Sequence, residues 1–286
     1  LLSLLLLGAF PTMASSAPRI PLPGIEVLQI SSPTSIGHTL RIPERVSASG
    51  VILLDLRSGE ELMARNASQR RPMASLTKIM TALLILERHS LSRTVTVPAI
   101  ADEIRGSVIG MKTGERFTIS DLLKALLIPS ANDAAYALAI DDAGSIGKFV
   151  LNMNARAAAL GLKNTHFTNP AGLDNLEQYS TPRDLGWMTM AALRHPDFPP
   201  IVNMKTARIA TMDGREFDLR NTNELLHEHT NVFGVKTGTT DAAGECLIIL
   251  FEELGQRYLL VLLGSKDRYT DSLYILQAVR EALSPQ

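Results

Sequence analysis

Apolar positions change their spacing several times along the chain, and each change predicts a different kind of element. From Val51, the run "GVILLDL", the polar turn "RSGE" and the shorter "ELMAR" read as a two-stranded hairpin. Residues 72–195 read mainly helical: "SLTKIMTALLILERH", "SDLLKALLI", "DAAYALAI" and "FVLNMNARAAALGL" carry apolar residues at helical spacing. Ser120 and Asp121 suit the start of the second of these helices. Strand signals then return. "TARIATMDGREFDL" predicts a hairpin turning at Asp213–Gly214, and "NVFGVKTG", "ECLIILFEE" and "RYLLVLLGS" predict three further strands. A last helix runs through "DSLYILQAVREAL", where Leu273, Ile275, Leu276, Val279 and Leu283 suit packing on a sheet better than lying in a lipid interface. Strands at both ends around a helical middle predict an α+β fold, one antiparallel sheet built from distant segments with an inserted helical lobe.

Upstream of Val51 the pattern is of another kind. Residues 1–17, "LLSLLLLGAFPTMASSA", hold an apolar run of signal-peptide length, too short to span a bilayer, followed by small residues that suit cleavage near Ala17. With no initiator Met and no basic segment before it, a true start upstream of Leu1 is expected. Residues 18–46 carry five prolines and several serines and read as a spacer. The domain is expected over 47–286.

Composition narrows the function classes. A chain of 286 residues that is 45% hydrophobic and 20% charged has ample material for a core. Its net charge of -1 offers no basic face for nucleic acid. The single cysteine, Cys246, excludes an internal disulfide and sits in an apolar run that suits a small core residue. No later stretch is long and apolar enough to cross a membrane, so the mature chain is expected to be exported and soluble, periplasmic or otherwise extracytoplasmic.

Two K-T-G and two S-x-x-K patterns compete as candidate chemistry. In "PMASLTKIMTALLILE", Pro72 suits a first helical turn, which leaves Ser75 near the helix N-terminus, where the dipole favours negative charge on its oxygen. Lys78 shares its face three residues on, in a helix apolar on most sides. A buried lysine loses its proton readily and can then take one from Ser75; alternatively, it snorkels to the surface. About one S-x-x-K arises by chance in a chain this long, and "SIGK" (Ser145, Lys148) is read as that decoy because Gly144 and Gly147 deprive it of a firm helical frame. Ser130 and Asn132 lie at a proline break in "LLIPSANDAAYALA", a place for helix capping or for side chains pointing into a cleft. Lys236 and Gly238 share one face at the end of a strand while Thr237 turns away, and the glycine lets a ligand backbone approach. Lys112 of the other K-T-G reads as a loop cation.

"SLTK", "SAN" and "KTGTTDAAG", in that order, resemble the three active-site motifs of serine D-alanyl-D-alanine carboxypeptidases, the low-molecular-mass penicillin-binding proteins of peptidase family S11. The likeness extends to "SGEELMARNASQRRPMASLTKIMTALL", "FTNPAGLD" and "NTNELL" and covers roughly residues 47–283. It implies a β-lactamase/transpeptidase-like fold, an acyl-serine mechanism on peptidoglycan stem peptides ending in D-Ala-D-Ala, β-lactams as covalent inhibitors, and no cofactor. The roles implied are Ser75 as nucleophile, Lys78 as its base and Ser130 as proton relay. Asn132 would bond the substrate backbone, and Lys236 with Thr237 and Gly238 would receive the terminal carboxylate. The backbone N–H groups of Ser75 and Thr239 would hold the oxyanion, and Arg268 would lie near the carboxylate site. Cutting a cross-link or transferring the acyl group uses the same motifs. A β-lactamase would need a glutamate in an E-x-x-L-N stretch; Glu177 is present but the stretch is not. His227 and His229 in "HEH" offer two metal ligands of a needed three or four, and a non-catalytic wall-binding module would be expected to have lost a motif residue. Relatives also carry a β-rich second domain and an amphipathic anchor, neither visible after "LQAVREALSPQ", so membrane attachment is open.

Overall fold

The computed structural model describes residues 40–284; the expected signal peptide and most of the spacer lie outside the described residues. Five strands make the main sheet: β1 (Gly50–Asp55), β2 (Glu61–Arg65) and, after a long helical insertion, β7 (Val232–Thr240), β8 (Gly244–Glu253) and β9 (Gln256–Ser265). Their order is β2-β1-β9-β8-β7, every pair antiparallel, so the two chain ends meet where β1 pairs with β9 from Gly50↔Leu263 to Asp55↔Tyr258. The predicted architecture is observed.

Side-chain alternation explains why the central strands read as continuous apolar runs. Ile52, Leu54, Ile248, Leu259, Val261 and Leu263 face one core, while Val51, Leu53, Leu247, Ile249, Leu260 and Leu262 face another. Both faces of the sheet are covered. On one side lies the last helix, α9 (Arg268–Leu283), inserting Ile275, Leu276, Val279 and Leu283; Leu273 of the expected stripe is 39% exposed. Asp271 ties that helix to the chain start by accepting from the backbone N–H groups of Ser47 and Ala48, both at 2.8 Å, and from Ser265 Oγ at 2.6 Å. Residues 40–46, expected in the spacer, already pack: Val46 is buried and Leu40 N–H donates to Leu62 O at 2.7 Å.

The helical lobe covers the other face. Its axis is α1 (Lys78–Arg88), buried from Lys78 to Leu86 and preceded by a 3₁₀ turn (Ala74–Thr77). Pro72 thus lies outside the helix rather than in its first turn, and Ser75 sits in the tighter turn that feeds it. Around α1 pack α3 (Ile119–Leu127), α4 (Asn132–Ala143), α5 (Ile146–Ala159) and α6 (Pro182–Leu193), the last bridging to β1 and β9. The cap of α3 is Thr118, which accepts from Asp121 N–H, and not Ser120. Short elements complete the lobe: the pair β3 (Thr94–Thr96) and β4 (Arg116–Thr118), helices α2 (Ala99–Glu103), α7 (Phe198–Val202) and α8 (Glu224–Glu228), and the hairpin β5 (Thr206–Ala210) and β6 (Glu216–Arg220). The β5–β6 hairpin turns at Asp213–Gly214 as expected. Three residues were too few for β3 and β4 to show as periodicity.

Candidate active site

Ser75 is positioned by backbone contacts that only glycine permits. Ala74, before it, adopts φ +49, and its carbonyl lies where a Cβ on Gly172 would stand, at 1.9 Å. From the other side, a Cβ on Gly238 would stand 2.9 Å from Ser75 N. The Pro170–Asp174 loop and strand β7 therefore close on the Ser75 backbone from two directions. Gly172 itself has φ +90. Gly172→Ala is expected to cost about 3 kcal/mol or more, from backbone strain and displaced backbone together. Gly161→Ala, with φ +75 and nothing within 4 Å of its Cβ, should lose only about 1 kcal/mol. Denaturant unfolding of both variants measures the difference.

Lys78 does not snorkel: it is fully buried and its Nζ meets Ser75 Oγ at 2.8 Å, Asn132 Oδ1 at 2.7 Å and Ala171 O at 2.8 Å. Burial, reinforced by the Lys236 charge and opposed by Asp133, holds its pKa well below that of an ordinary lysine. The partners dictate what a neutral amine does here. Asn132 Nδ2 donates to Arg105 O at 2.9 Å, which turns Oδ1 to Lys78 as an acceptor. The Ala171 carbonyl is also an acceptor. In the unprotonated form these two would take both N–H groups of Lys78 and leave its lone pair for the Ser75 hydroxyl, an arrangement that suits a general base.

Ser130 lies just before α4 with φ +66, is 6% exposed, and its hydroxyl has no hydrogen-bond partner among the described residues. Asn132 begins α4 and its backbone N–H donates to Ser107 O at 2.6 Å. Next to it, the buried carboxylate of Asp133 accepts from the N–H groups of Ile109, Gly110 and Met111, which pins the 105–111 loop beside the site.

The third segment comes from β7, an edge strand of the sheet. Lys236 is buried, its Nζ donates to Thr237 O at 2.9 Å, and burial together with the Arg268 charge brings its pKa down to about 7. Thr237 Oγ1 and Thr222 Oγ1 are 2.6 Å apart. Arg268, at the start of α9, donates from Nη1 to the Gly238 and Cys246 carbonyls at 2.9 and 3.1 Å and from Nη2 to Thr239 Oγ1, and pairs with Glu245 at 3.2 Å. Arg268 thus braces the strand that carries the motif. Hydrogen bonds and close backbone contacts join Ser75, Lys78, Asn132, Gly238, Thr239 and Arg268, while Ser130 precedes Asn132 by two residues and Lys236 and Thr237 lie next to Gly238 on β7.

The rival residues lie elsewhere in role. Ser145 caps α5 by accepting from Lys148 N–H, so "SIGK" does enter a helix, contrary to the reading of its glycines, but as a surface cap. Lys112 pairs with Asp102 at 3.0 Å on the surface. Glu177 is exposed and is held through its backbone, by Asn175 and His166. His227 Nε2 meets Asn221 O at 3.0 Å, and no metal-type cluster occurs among the described residues. Cys246 is fully buried in the core.

Sequence reasoning missed several contributors. Ala171 and Gly172 belong to "FTNPAGLD" and Thr222 to "NTNELL", both noticed only as likeness. Thr222 links three parts of the site: its N–H donates to Ile128 O before Ser130, its hydroxyl meets Thr237, and its carbonyl accepts from Tyr269 OH at 2.7 Å. A glycine two residues after a proline, and polar residues flanking a threonine, were the available signals.

Comparison with known proteins gives the family and the fold. The family model for D-alanyl-D-alanine carboxypeptidase, peptidase family S11, matches residues 38–267. The D-alanyl-D-alanine carboxypeptidase DacF of Bacillus subtilis is 34% identical over 76% of this chain; the match spans 57% of DacF, just over half its length. A D-alanyl-D-alanine endopeptidase of Pseudomonas aeruginosa is 33% identical over 81% of this chain and 76% of its own. The crystal structure of the Streptomyces K15 DD-transpeptidase superposes with a TM-score of 0.77 at 32% identity, covering 84% of this chain and 98% of that one. The fold is therefore the penicillin-binding, β-lactamase-like one, and the chain belongs to the D-alanyl-D-alanine carboxypeptidase family S11.

Proposed function

We propose that this chain acts outside the cytoplasm as a serine D-alanyl-D-alanine carboxypeptidase that removes the terminal D-Ala from peptidoglycan stem peptides. The observation that carries this reading is the fully buried Lys78 Nζ, held between the Asn132 and Ala171 acceptors and 2.8 Å from Ser75 Oγ. The substrate lies as an added strand along the open edge of β7, its carboxylate at Lys236 and Thr237. Ser75 Oγ gives its proton to Lys78 Nζ and bonds to the carbonyl carbon. The oxyanion that forms accepts from the N–H groups of Ser75 and Thr239. Ser130 passes a proton to the departing amine as the C–N bond breaks, D-Ala leaves, and an ester on Ser75 remains for water to hydrolyse.

Cross-link cleavage and acyl transfer share this ester and differ in leaving group and acceptor; the endopeptidase relative and the transpeptidase structure keep both as the second reading. Antibiotic hydrolysis has no support from the exposed Glu177. The first test is release of D-Ala from a pentapeptide ending in D-Ala-D-Ala, beside covalent labelling by fluorescent penicillin. A folded chain that does neither sinks the proposal.

The two lysines set the pH dependence. Below about pH 7 Lys236 is charged and attracts the substrate carboxylate; above it, the free enzyme loses that charge. kcat/KM for D-Ala release should fall on the alkaline side from about pH 7, while kcat falls later because a bound carboxylate favours the ammonium. The same group affects folding in the opposite sense. Unfolded lysine keeps its proton to about pH 10.4, so the unfolded chain binds more protons between about 7 and 10.4 and this contribution to stability rises with pH. An alkaline loss of kcat/KM with no loss of fold identifies Lys236.

A further inference from the structure

Asp133, the second residue of α4, is 1% exposed, yet its bonding partners among the described residues are all backbone N–H groups. Ile109, Gly110 and Met111 donate to its Oδ2 at 3.1, 3.0 and 3.2 Å, and Ala134 donates to Oδ1 at 3.0 Å. Burying a carboxylate with no cation in contact is costly, and burial pushes its pKa up against the pull of those N–H groups. Three successive N–H groups turned onto one oxygen form a nest, with Gly110 at its centre in the left-handed region at φ +80. The cost is spent on gathering one loop.

That loop grips the Ser130–Asn132 segment on both sides. Ser107 Oγ donates to Pro129 O at 2.9 Å, just before Ser130. Ser107 O accepts from Asn132 N–H at 2.6 Å, and Arg105 O accepts from Asn132 Nδ2 at 2.9 Å. A Cβ on Gly106 would stand 3.0 Å from the same Nδ2. Beneath the loop lies a cavity of about 180 Å³ bordered by Ile104, Val108, Met111 and Asp133, so hydrogen bonds more than packing set its course. An amide fits its site in two orientations, and the Arg105 carbonyl favours the one that gives Oδ1 to Lys78. Resting on the proposed function, we infer that Asp133 is a positioning residue for acylation. It holds the 105–111 loop, and the Arg105 and Ser107 carbonyls of that loop hold the Asn132 amide whose oxygen accepts from Lys78.

Asp133→Asn keeps the shape of the side chain and removes its charge and one acceptor oxygen. Acylation by benzylpenicillin, followed by intact mass, should slow by about 10- to 100-fold, the scale of a misplaced catalytic group. The charges acting on Lys78 are Lys236 from β7 and Asp133 from α4, and the Pro170–Asp174 loop meets it through the Ala171 carbonyl. The variant takes from Lys78 a negative charge and a well-placed acceptor, each of which favours the ammonium, so the acid limb of the acylation rate should move to lower pH. A chain that is merely less stable keeps the limb where the wild type has it. In an Asn132→Ala background the same substitution should cost about twofold or less, because the group through which Asp133 acts is gone. Gly106→Ala presses on Asn132 Nδ2 with Asp133 intact; it should also slow acylation, and it carries the test if Asp133→Asn does not fold. The proposal is overturned by wild-type acylation in folded Asp133→Asn or in Gly106→Ala, by an unmoved acid limb, or by an equal loss with and without Asn132. Failure of the wild type to take penicillin at all would instead remove the acyl-serine reading beneath it.

Discussion

Ser75→Ala is expected to take no covalent label from a fluorescent penicillin, while Ser145→Ala labels at the wild-type rate. The difference rests on placement rather than residue type, since both serines stand three positions before a lysine. Ser75 Oγ is 2.8 Å from a buried lysine whose other bonds go to fixed acceptors, and its backbone is clamped between Gly172 and Gly238. Ser145 Oγ accepts from a helix N–H on the surface. D-Ala release should fall by about 10⁴-fold or more in Ser75→Ala, the scale of losing a nucleophile from a cooperative site. Removing one hydroxyl leaves the fold intact, so thermal unfolding should move little. Intact-mass measurement after penicillin treatment reads the result: persistent label in Ser75→Ala would place the nucleophile elsewhere.

Lys78→Ala should acylate about 10³- to 10⁴-fold more slowly, because the Ser75 proton then has no base within hydrogen-bond reach. Two effects on stability oppose each other. Asn132 Oδ1 and Ala171 O lose their donor, at about 1–3 kcal/mol for each buried group left unpaired, while the cost of desolvating a lysine disappears. The variant is therefore expected to stay folded, and the rate loss to be chemical. A small alkylamine added to the solution fills the space left by the side chain and should restore part of the acylation rate. Normal acylation by Lys78→Ala without amine would remove lysine from the role of base.

Much of the sheet was legible because periodicity is local. The runs at 51–56, 247–251 and 258–263 announced strands, and their continuous apolar character now has its cause in two covered faces. Helix ends were read less well. Ser120 rather than Thr118 reads as the start of α3 because both are hydroxyl residues within three positions of Asp121, and only the observed bond from Asp121 N–H to Thr118 distinguishes them. The 3₁₀ turn at Ala74–Thr77 displaced the expected helix start, since Ala74 must take a left-handed φ for its carbonyl to meet Gly172. That contact joins residues almost a hundred positions apart, and no local propensity encodes it.

The sequence alone determined the kinds of chemistry: which serine and lysine share a helical face, which strand carries Lys236, and that a sheet drawn from both chain ends encloses a helical lobe. These follow from spacing, residue type and motif order, all of which act over a few residues. The tertiary structure decided the state of those groups. The Lys78 pKa is lowered because the lobe buries it, and Asn132 and Ala171, 54 and 93 residues away, accept from its Nζ. Thr237 is held by Thr222, and Arg268 braces the strand through the Gly238 and Cys246 carbonyls. Burial and hydrogen-bond partners set a group's charge and reach, and both depend on contacts between distant parts of the chain, which only folding brings together.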